Sequence, residues 1–226
     1  MKVAIDGPAG AGKSTVAKAV AQGRGFVYLD TGAMYRSVAL LALEGDVDLA
    51  DEAALAVIAE SIELAFVPAA DGGQRVLVGG RDVTSEIRTP RVDAAVSSVS
   101  SVPAVRTSMV ELQRKLAGAA DVVAEGRDIG TVVFPDAEVK VFLTADAHAR
   151  AHRRSVQNTQ RFGADEACEE DIYRRIVERD RADSTRATAP LVAAEDAVHI
   201  DSSSLGVADV VRLVEDLIDA AQAQEA

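Results

Sequence analysis

Gly7-Pro8-Ala9-Gly10-Ala11-Gly12-Lys13-Ser14 is the stretch that decides the fold. It matches G-x-x-x-x-G-K-[S/T], a loop that holds phosphate groups. The context matches as well as the letters. Lys2-Val3-Ala4-Ile5-Asp6 is a short apolar run suited to a buried strand, and the residues from Ser14 to Ala21 make a good helix opening. Strand, glycine loop, helix is the order this chemistry requires. The glycines let successive backbone N–H groups point into one hollow, where phosphate oxygens can sit. The helix N-terminus adds partial positive charge. On this reading Gly7, Pro8, Ala9, Gly10, Ala11, Gly12, Lys13, Ser14 and Thr15 bind a nucleoside triphosphate. Lys13 reaches the β- and γ-phosphates and the Ser14 hydroxyl ligates Mg²⁺.

Two other readings compete. A glycine-rich turn can be a plain connector between strand and helix. A dinucleotide-binding fold is the other, because Asp30 lies at about the right distance for its ribose-binding acid. Its fingerprint needs G-x-G-x-x-G/A, and Thr15 stands where the last small residue belongs. The loop therefore says that a phosphate chain is held. It does not say what happens to that chain, since the same loop serves many functions.

The length of 226 residues suits one α/β domain with insertions. No stretch approaches the roughly 20 apolar residues that span a bilayer, and the amino end runs directly into the first expected strand. With Cys168 as the single cysteine, no intramolecular disulfide or cysteine-based metal cluster forms. These features together give a cytoplasmic protein as the expectation, and a monomer is expected because no exposed apolar repeat demands a partner. Aromatic residues are only 4% and tryptophan is absent, so Val, Ala, Leu and Ile must build the core. The formal net charge of −12 argues against a nucleic-acid surface, which would be basic. Binding a phosphorylated ligand then requires local positive charge. Arg150, Arg153, Arg154, Arg161, Arg174, Arg175, Arg179, Arg181 and Arg186 supply it in one short stretch. Arginine suits forked contacts to phosphate oxygens. The competing reading is a solvated helix face paired with Glu169, Glu170, Asp171, Glu178 and Asp180.

Five apolar runs read as parallel strands: Lys2–Asp6, Phe26–Asp30, Asp121–Glu125, Val139–Thr144 and Ala197–Asp201. Helical patterns separate most of them, which implies an α/β fold with a five-stranded parallel sheet and helices on both faces. A closing amphipathic helix follows from the spacing of Val207, Val210, Val211, Val214, Leu217 and Ile218, with a frayed tail after it. Two regions interrupt the alternation. The first, from about 33 to 119, begins with helices at Ala33–Leu43 and Asp51–Ile62. Short antiparallel strands follow at Glu63–Pro68 and Gln74–Val83 around the turn Asp71-Gly72-Gly73, and then two helices split by Pro103. The second, from about 150 to 191, carries the arginines. Residues 1–32, 120–149 and 192–226 remain as the core. Both insertions fall at the C-terminal edge of the parallel strands, where such sheets bind ligands.

Further residues supply chemistry. Asp30-Thr31-Gly32-Ala33-Met34-Tyr35-Arg36 follows the second strand, and a hydroxyl, a glycine and an arginine one turn later would make a second phosphate site. Thr31 is equally a helix N-cap, and Arg36 equally a surface residue. Val122-Val123-Ala124-Glu125 is an apolar strand ending in an acid, the pattern of a carboxylate that orders Mg²⁺ through water. Arg127 and Asp128 lie just beyond, as cleft residues or as a structural ion pair.

These stretches together resemble the bacterial cytidylate kinases. Ile5 to Thr15 and Leu29-Asp30-Thr31-Gly32-Ala33-Met34-Tyr35-Arg36 carry the likeness, with Asp82-Val83-Thr84-Ser85-Glu86-Ile87-Arg88 and Glu125-Gly126-Arg127-Asp128-Ile129-Gly130-Thr131-Val132-Val133-Phe134-Pro135. Arg179-Asp180-Arg181-Ala182-Asp183-Ser184, Arg186 and Ala189-Pro190-Leu191 complete it, so it runs from Val3 to about Leu213. The resemblance implies an ATP:CMP phosphotransferase of pyrimidine metabolism that also accepts dCMP, with Mg²⁺ accompanying ATP. It implies a P-loop NTPase core, a nucleoside-monophosphate-binding insertion containing a small antiparallel sheet, and a helical lid. By position, Ser97, Arg106 and Asp128 resemble the cytosine-reading residues. Arg36, Arg127 and Arg186 resemble the acceptor-phosphate clamp, with Asp30 and Thr31 beside it in the CMP site. Asp183 resembles the ribose contact, Arg179 a lid residue reaching the transferring phosphoryl group, and Arg154 a residue near the adenine. Lys13, Arg127, Arg179 and Arg186 are thus the catalytic set, and Ser14 and Glu125 the magnesium set. Ala182 departs from the pattern, standing where some members carry another basic residue, and Ser98, Ser100 and Ser101 crowd the register of Ser97. A UMP, AMP or shikimate kinase is the near alternative. An NTP-binding switch is the distant one, and no Asn-Lys-x-Asp guanine-reading tetrapeptide occurs.

Overall fold

The computed structural model describes residues 1–69, 73–162 and 168–225. The chain divides into two compact units, one made of residues 1–29 and 117–226 and the other of 30–116. Asp71 and Gly72 of the expected turn lie outside the described residues, as do the side chain of Arg161 and the last alanine.

The first unit is built on a five-stranded sheet. Its strands are β1 (Lys2–Asp6), β2 (Val27–Asp30), β6 (Val122–Gly126), β7 (Val139–Thr144) and β8 (Val198–Asp201), in the order β2-β6-β1-β7-β8. β1 lies parallel to both β6 and β7, with Ile5 beside Glu125 on one side and Val141 on the other. β7 continues parallel to β8. The central strand is buried from Val3 to Asp6, as an apolar run flanked by two strands must be. Helices α1 (Lys13–Arg24) and α8 (Val207–Glu225) pack on one face. Their Val16, Val20, Val210, Val214 and Ile218 interleave with Val3, Ile5, Val123, Val141 and Leu143. The buried side chains of this core are aliphatic, with Phe26 and Tyr28 packed against them from a less buried position. The expected frayed tail is helical through Glu225, because Ala and Gln are strong enough helix formers to prolong α8.

Helices α6 (Ala147–Phe162) and α7 (Glu169–Thr185) form a pair in the same unit. Ala151, Ile172 and Ile176 make its small core, and His148 stacks on Tyr173 at 4.3 Å. Much of the pair is polar. Arg174 is exposed and bonds only to its own helix, at 3.3 Å from Glu170 and 3.8 Å from Asp171 among the described contacts, which is the solvated-face reading of that arginine.

The second unit holds α2 (Thr31–Glu44), α3 (Glu52–Ser61), α4 (Pro90–Ser101) and most of α5 (Pro103–Ala117). It also holds a small antiparallel sheet, β3 (Leu64–Pro68), β4 (Gln74–Val78) and β5 (Arg81–Asp82). The single strand expected over Gln74–Val83 is two, because Gly79 and Gly80 take left-handed φ angles of 54° and 79° and turn the chain back. Prolines open both α4 and α5, where a missing N–H costs nothing. Among the described residues, no helix is long and apolar enough to cross a membrane.

Candidate active site

The glycine loop joins β1 to α1 as its sequence requires. Gly7, Gly10 and Gly12 have φ of 144°, 78° and 96°. Gly7 is also sterically bound to its identity, since a Cβ there would lie 2.0 Å from the Leu143 carbonyl oxygen. Gly12 serves as the N-cap of α1 with no side-chain bond, so the first amides of the helix are not taken by a capping side chain. Three of the loop's carbonyls are tied by side chains, one of the loop itself and two from outside it. Lys13 Nζ donates to the Pro8 oxygen at 2.8 Å, Arg150 Nη1 to the Ala9 oxygen at 3.0 Å, and Ser202 Oγ to the Ala11 oxygen at 3.1 Å. Carbonyls held from behind leave the N–H groups to face a ligand.

Lys13 is buried, and burial pushes its ammonium pKa down to about 7, with Arg127 and more weakly Arg179 acting the same way. Glu125 and Asp6 oppose that shift. Arg127 and Arg179 are therefore close enough to repel Lys13. Cations gathered against their own repulsion fit a site for a polyphosphate anion. Glu125 is buried at the end of β6 and accepts from the Tyr28 hydroxyl at 2.8 Å. Ser14 is exposed in the first turn of α1. A hydroxyl and a carboxylate are the hard oxygen donors that Mg²⁺ takes when phosphates and waters complete its shell. Among the described residues there is no cage of three or more His, Cys, Asp or Glu, and a phosphate-bound Mg²⁺ needs none.

Beyond β6 the chain makes a π-type turn, Ile129–Val133. Asp128 is buried at its head, and its carbonyl accepts from Val132 and Val133. Arg127 points to α7, where its Nε donates to Asp183 Oδ2 at 2.9 Å. Arg179 Nε lies 4.0 Å from the same oxygen. Burial pushes the Asp183 carboxyl up, but Arg127, then Arg179 and Arg186, outweigh it and hold the group below its ordinary value. Arg186 Nε donates to the Ala189 oxygen at 2.6 Å, and the Leu191 amide bonds back to the Asp183 carbonyl. The structure thus brings Lys13, Glu125, Arg127, Arg179, Asp183 and Arg186 together in the first unit. Arg154 lies half-buried on α6.

Asp30, Thr31, Arg36, Ser97 and Arg106 belong to the second unit. Asp30 rather than Thr31 caps α2, accepting the Ala33 amide at 2.9 Å, and Thr31 is the buried first residue of the helix. The longer Asp side chain one position earlier reaches the N3 amide. Arg88 Nη2 donates to the other oxygen of Asp30 at 2.9 Å. Arg36 is no free surface residue: Nη1 pairs with Asp93 of α4 and reaches the Ile87 carbonyl at 3.4 Å. Arg106 is buried 5.4 Å from the Tyr35 ring and donates to the Ser100 carbonyl. Ser97 is half-buried on α4, whereas Ser98 and Ser101 are exposed and Ser100 bonds back to the Ser97 carbonyl.

Ser202 was not among the residues that the sequence marked, and Arg150 and Asp180 were named only as one of the clustered arginines and one of their possible acidic partners. Arg150 bridges the loop to Asp180 of α7 at 2.6 Å. No local pattern announces such a contact, though the arginine-rich stretch containing Arg150 is itself visible.

The chain matches the family described as Cytidylate kinase over residues 3–220. It is 52% identical to the Cytidylate kinase of Pelotomaculum thermopropionicum, over 94% of this chain and 93% of that protein. It is 47% identical to the Cytidylate kinase of Carboxydothermus hydrogenoformans, over 96% and 97%. It is 50% identical to that of Mycobacterium avium, over 96% and 94%. A solved structure of an uncharacterized protein from Eubacterium ventriosum shares the fold, with a TM-score of 0.53 at 13% identity over 97% of this chain and 98% of that one.

Proposed function

The chain belongs to the cytidylate kinase family, and from that premise we propose that it moves the γ-phosphoryl group of ATP to CMP or dCMP, giving CDP or dCDP and ADP. The observation that carries this reading is the cluster of Lys13, Arg127 and Arg179 beside the glycine loop.

The loop amides and Lys13 hold the triphosphate, and Arg154 lies toward the adenine. The Ser14 hydroxyl and, through water, Glu125 would hold Mg²⁺, which supplies charge neutralisation on the phosphates. The acceptor is itself a phosphate dianion, so the chain need provide no strong base. Alignment and charge neutralisation do the catalytic work. Arg36, Arg127 and Arg186 hold the acceptor phosphate, with Asp30 and Thr31 alongside. In this role Arg36 exchanges the Asp93 carboxylate for phosphate oxygens. Arg179 stabilises the phosphoryl group in flight, and an ion-paired Asp183 keeps lone pairs to accept from ribose hydroxyls.

Cytosine carries an exocyclic amine beside two ring acceptors. Asp128 accepts from the amine while Arg106 and Ser97 donate to N3 and O2. Uracil puts a carbonyl in place of the amine, and a mismatched buried polar contact costs about 1–3 kcal/mol. Residues 33–119 act as the acceptor-binding insertion and 150–191 as a lid that excludes water. We further infer a cytoplasmic monomer acting on small nucleotides. A charge of −12 disfavours polyanionic partners and anionic membrane surfaces alike.

Measuring ADP release with CMP, dCMP, UMP, AMP and shikimate as acceptors tests the reading. CMP and dCMP are expected to be turned over best, with little ATP hydrolysis when no acceptor is present. Faster turnover of AMP or UMP than of CMP would overturn the acceptor assignment.

A further inference from the structure

Asp6 closes β1 immediately before the glycine loop, yet neither carboxylate oxygen is turned to that loop's amides. Oδ1 accepts the Ile129 amide at 2.8 Å and Oδ2 the Gly130 amide at 2.7 Å. The residue is buried among the central strands, and burial raises its carboxyl pKa to about 6 against the pull of those two amides. Asp128 adds to the rise, so the two acids stand near enough to repel.

The geometry bears on Asp128 through one peptide group. The Ile129 N–H and the Asp128 C=O belong to the same planar unit. Asp6 fixes its N–H end, and Val132 and Val133 fix its carbonyl end. With that plane held, ψ of Asp128 is set at 27° beside a φ of −150°. The Cα–Cβ direction of Asp128 follows from those angles. π-type turns are rare and recur at functional sites, where they re-aim a side chain.

We propose that Asp6 is a positioning residue for acceptor recognition, holding the turn that aims the Asp128 carboxylate at the base of CMP. This rests on the reading of Asp128 as the base-reading acid. Asparagine at position 6 keeps the shape but can accept only one of the two amides, and its NH₂ would then face the other N–H. With its two oxygens given to these amides, Asp6 acts on recognition through Asp128; its charge also supports the Lys13 ammonium, an effect on turnover that is common to CMP and UMP and cancels in their ratio.

The test compares Asp6→Asn and Asp128→Asn with the unsubstituted enzyme, measuring KM for CMP, KM for ATP and the CMP-over-UMP ratio of kcat/KM. The expected result is a rise of about tenfold or more in KM for CMP in both variants, a fall in the CMP-over-UMP ratio, and a KM for ATP within about twofold. A normal CMP-over-UMP ratio in Asp6→Asn beside a lowered one in Asp128→Asn would sink the positioning role and leave the Asp128 reading intact. Equal rises in both KM values in Asp6→Asn would do the same, marking a structural residue. An unchanged KM for CMP in Asp128→Asn would remove the Asp128 reading and the inference together. If Asp6→Asn does not fold, amide hydrogen exchange in the unsubstituted enzyme decides. CMP is expected to slow exchange at Ile129 and Gly130 by about tenfold while ADP alone does not. No slowing by CMP at those two amides would overturn the proposal.

Discussion

The Arg127 guanidinium and the Asp183 carboxylate meet at 2.9 Å, joining the end of β6 to helix α7. The pair crosses 56 residues of sequence and links the turn after β6 to the arginine-rich helix. Its members come from two of the stretches that carry the family resemblance.

Asp183→Asn is expected to leave Arg127 and Arg179 without their shared counter-charge and to lower stability by about 1–3 kcal/mol at neutral pH. Urea unfolding measures it. The folded-state pKa of Asp183 lies below its ordinary 3.8, so the ionised carboxylate stabilises the fold above that value. The difference between the two proteins should shrink only as pH falls below about 3.8 toward the lower folded value. A difference that already vanishes at pH 6 would contradict the pairing.

Lys13→Met should separate function from stability. Loss of the ammonium is expected to cut kcat by at least about 100-fold. The same change should raise the stability of the nucleotide-free protein, because a buried ammonium costs free energy that Met does not. Folding lowers the Lys13 pKa from 10.5 to about 7. The cost is therefore full below pH 7 and fades as pH rises toward 10.5. Thermal unfolding across that range should show the variant's advantage greatest at pH 7 and below.

Gly7→Ala and Gly12→Ala should differ sharply, although both residues have positive φ. At Gly7 the new Cβ lies 2.0 Å from a β7 carbonyl, so a strand of the central sheet must shift. A loss exceeding about 3 kcal/mol, or failure to fold, is expected. At Gly12 nothing lies within 4 Å of the new Cβ. Only backbone strain of about 1–2 kcal/mol remains there. Equal melting temperatures for the two variants would count against this account.

Arg150→Met should weaken ATP binding without touching ATP's reacting atoms. The variant strands the Ala9 and Ala145 carbonyls and the Asp180 carboxylate, three partners of one buried guanidinium. A stability loss of about 2–4 kcal/mol and a rise in KM for ATP larger than that for CMP are expected. Steady-state kinetics with each substrate varied in turn makes the comparison.

The sheet and the glycine loop were legible because their signals are local. The apolar runs at Lys2–Asp6 and Val139–Thr144 have the observed bounds, and G-x-x-x-x-G-K-S carries its own geometry. Legibility ended where partners are distant. Asp30 displaced Thr31 as the cap because one-residue offsets at a helix start depend on φ and ψ, which composition does not state. Arg36 read equally as surface or site, since its partner Asp93 is 57 residues away. Asp6 read only as the last letter of a strand. Its task became visible when Ile129 and Gly130 were seen to lie beside it.

The central position of β1 has a consequence for synthesis. β1 is made before either of its neighbours in the sheet, and Lys2 waits for Val122 on one side and Val3 for Val139 on the other. Residues 30–116 emerge in the interval as one contiguous compact unit. Every strand pairing of β1 is non-local, and such contacts form slowly because a long loop must close first. Nascent chains arrested after residue 116 should therefore carry an apolar β1 still exposed to chaperones, and the nucleotide-binding loop cannot acquire its shape until β7 has been made.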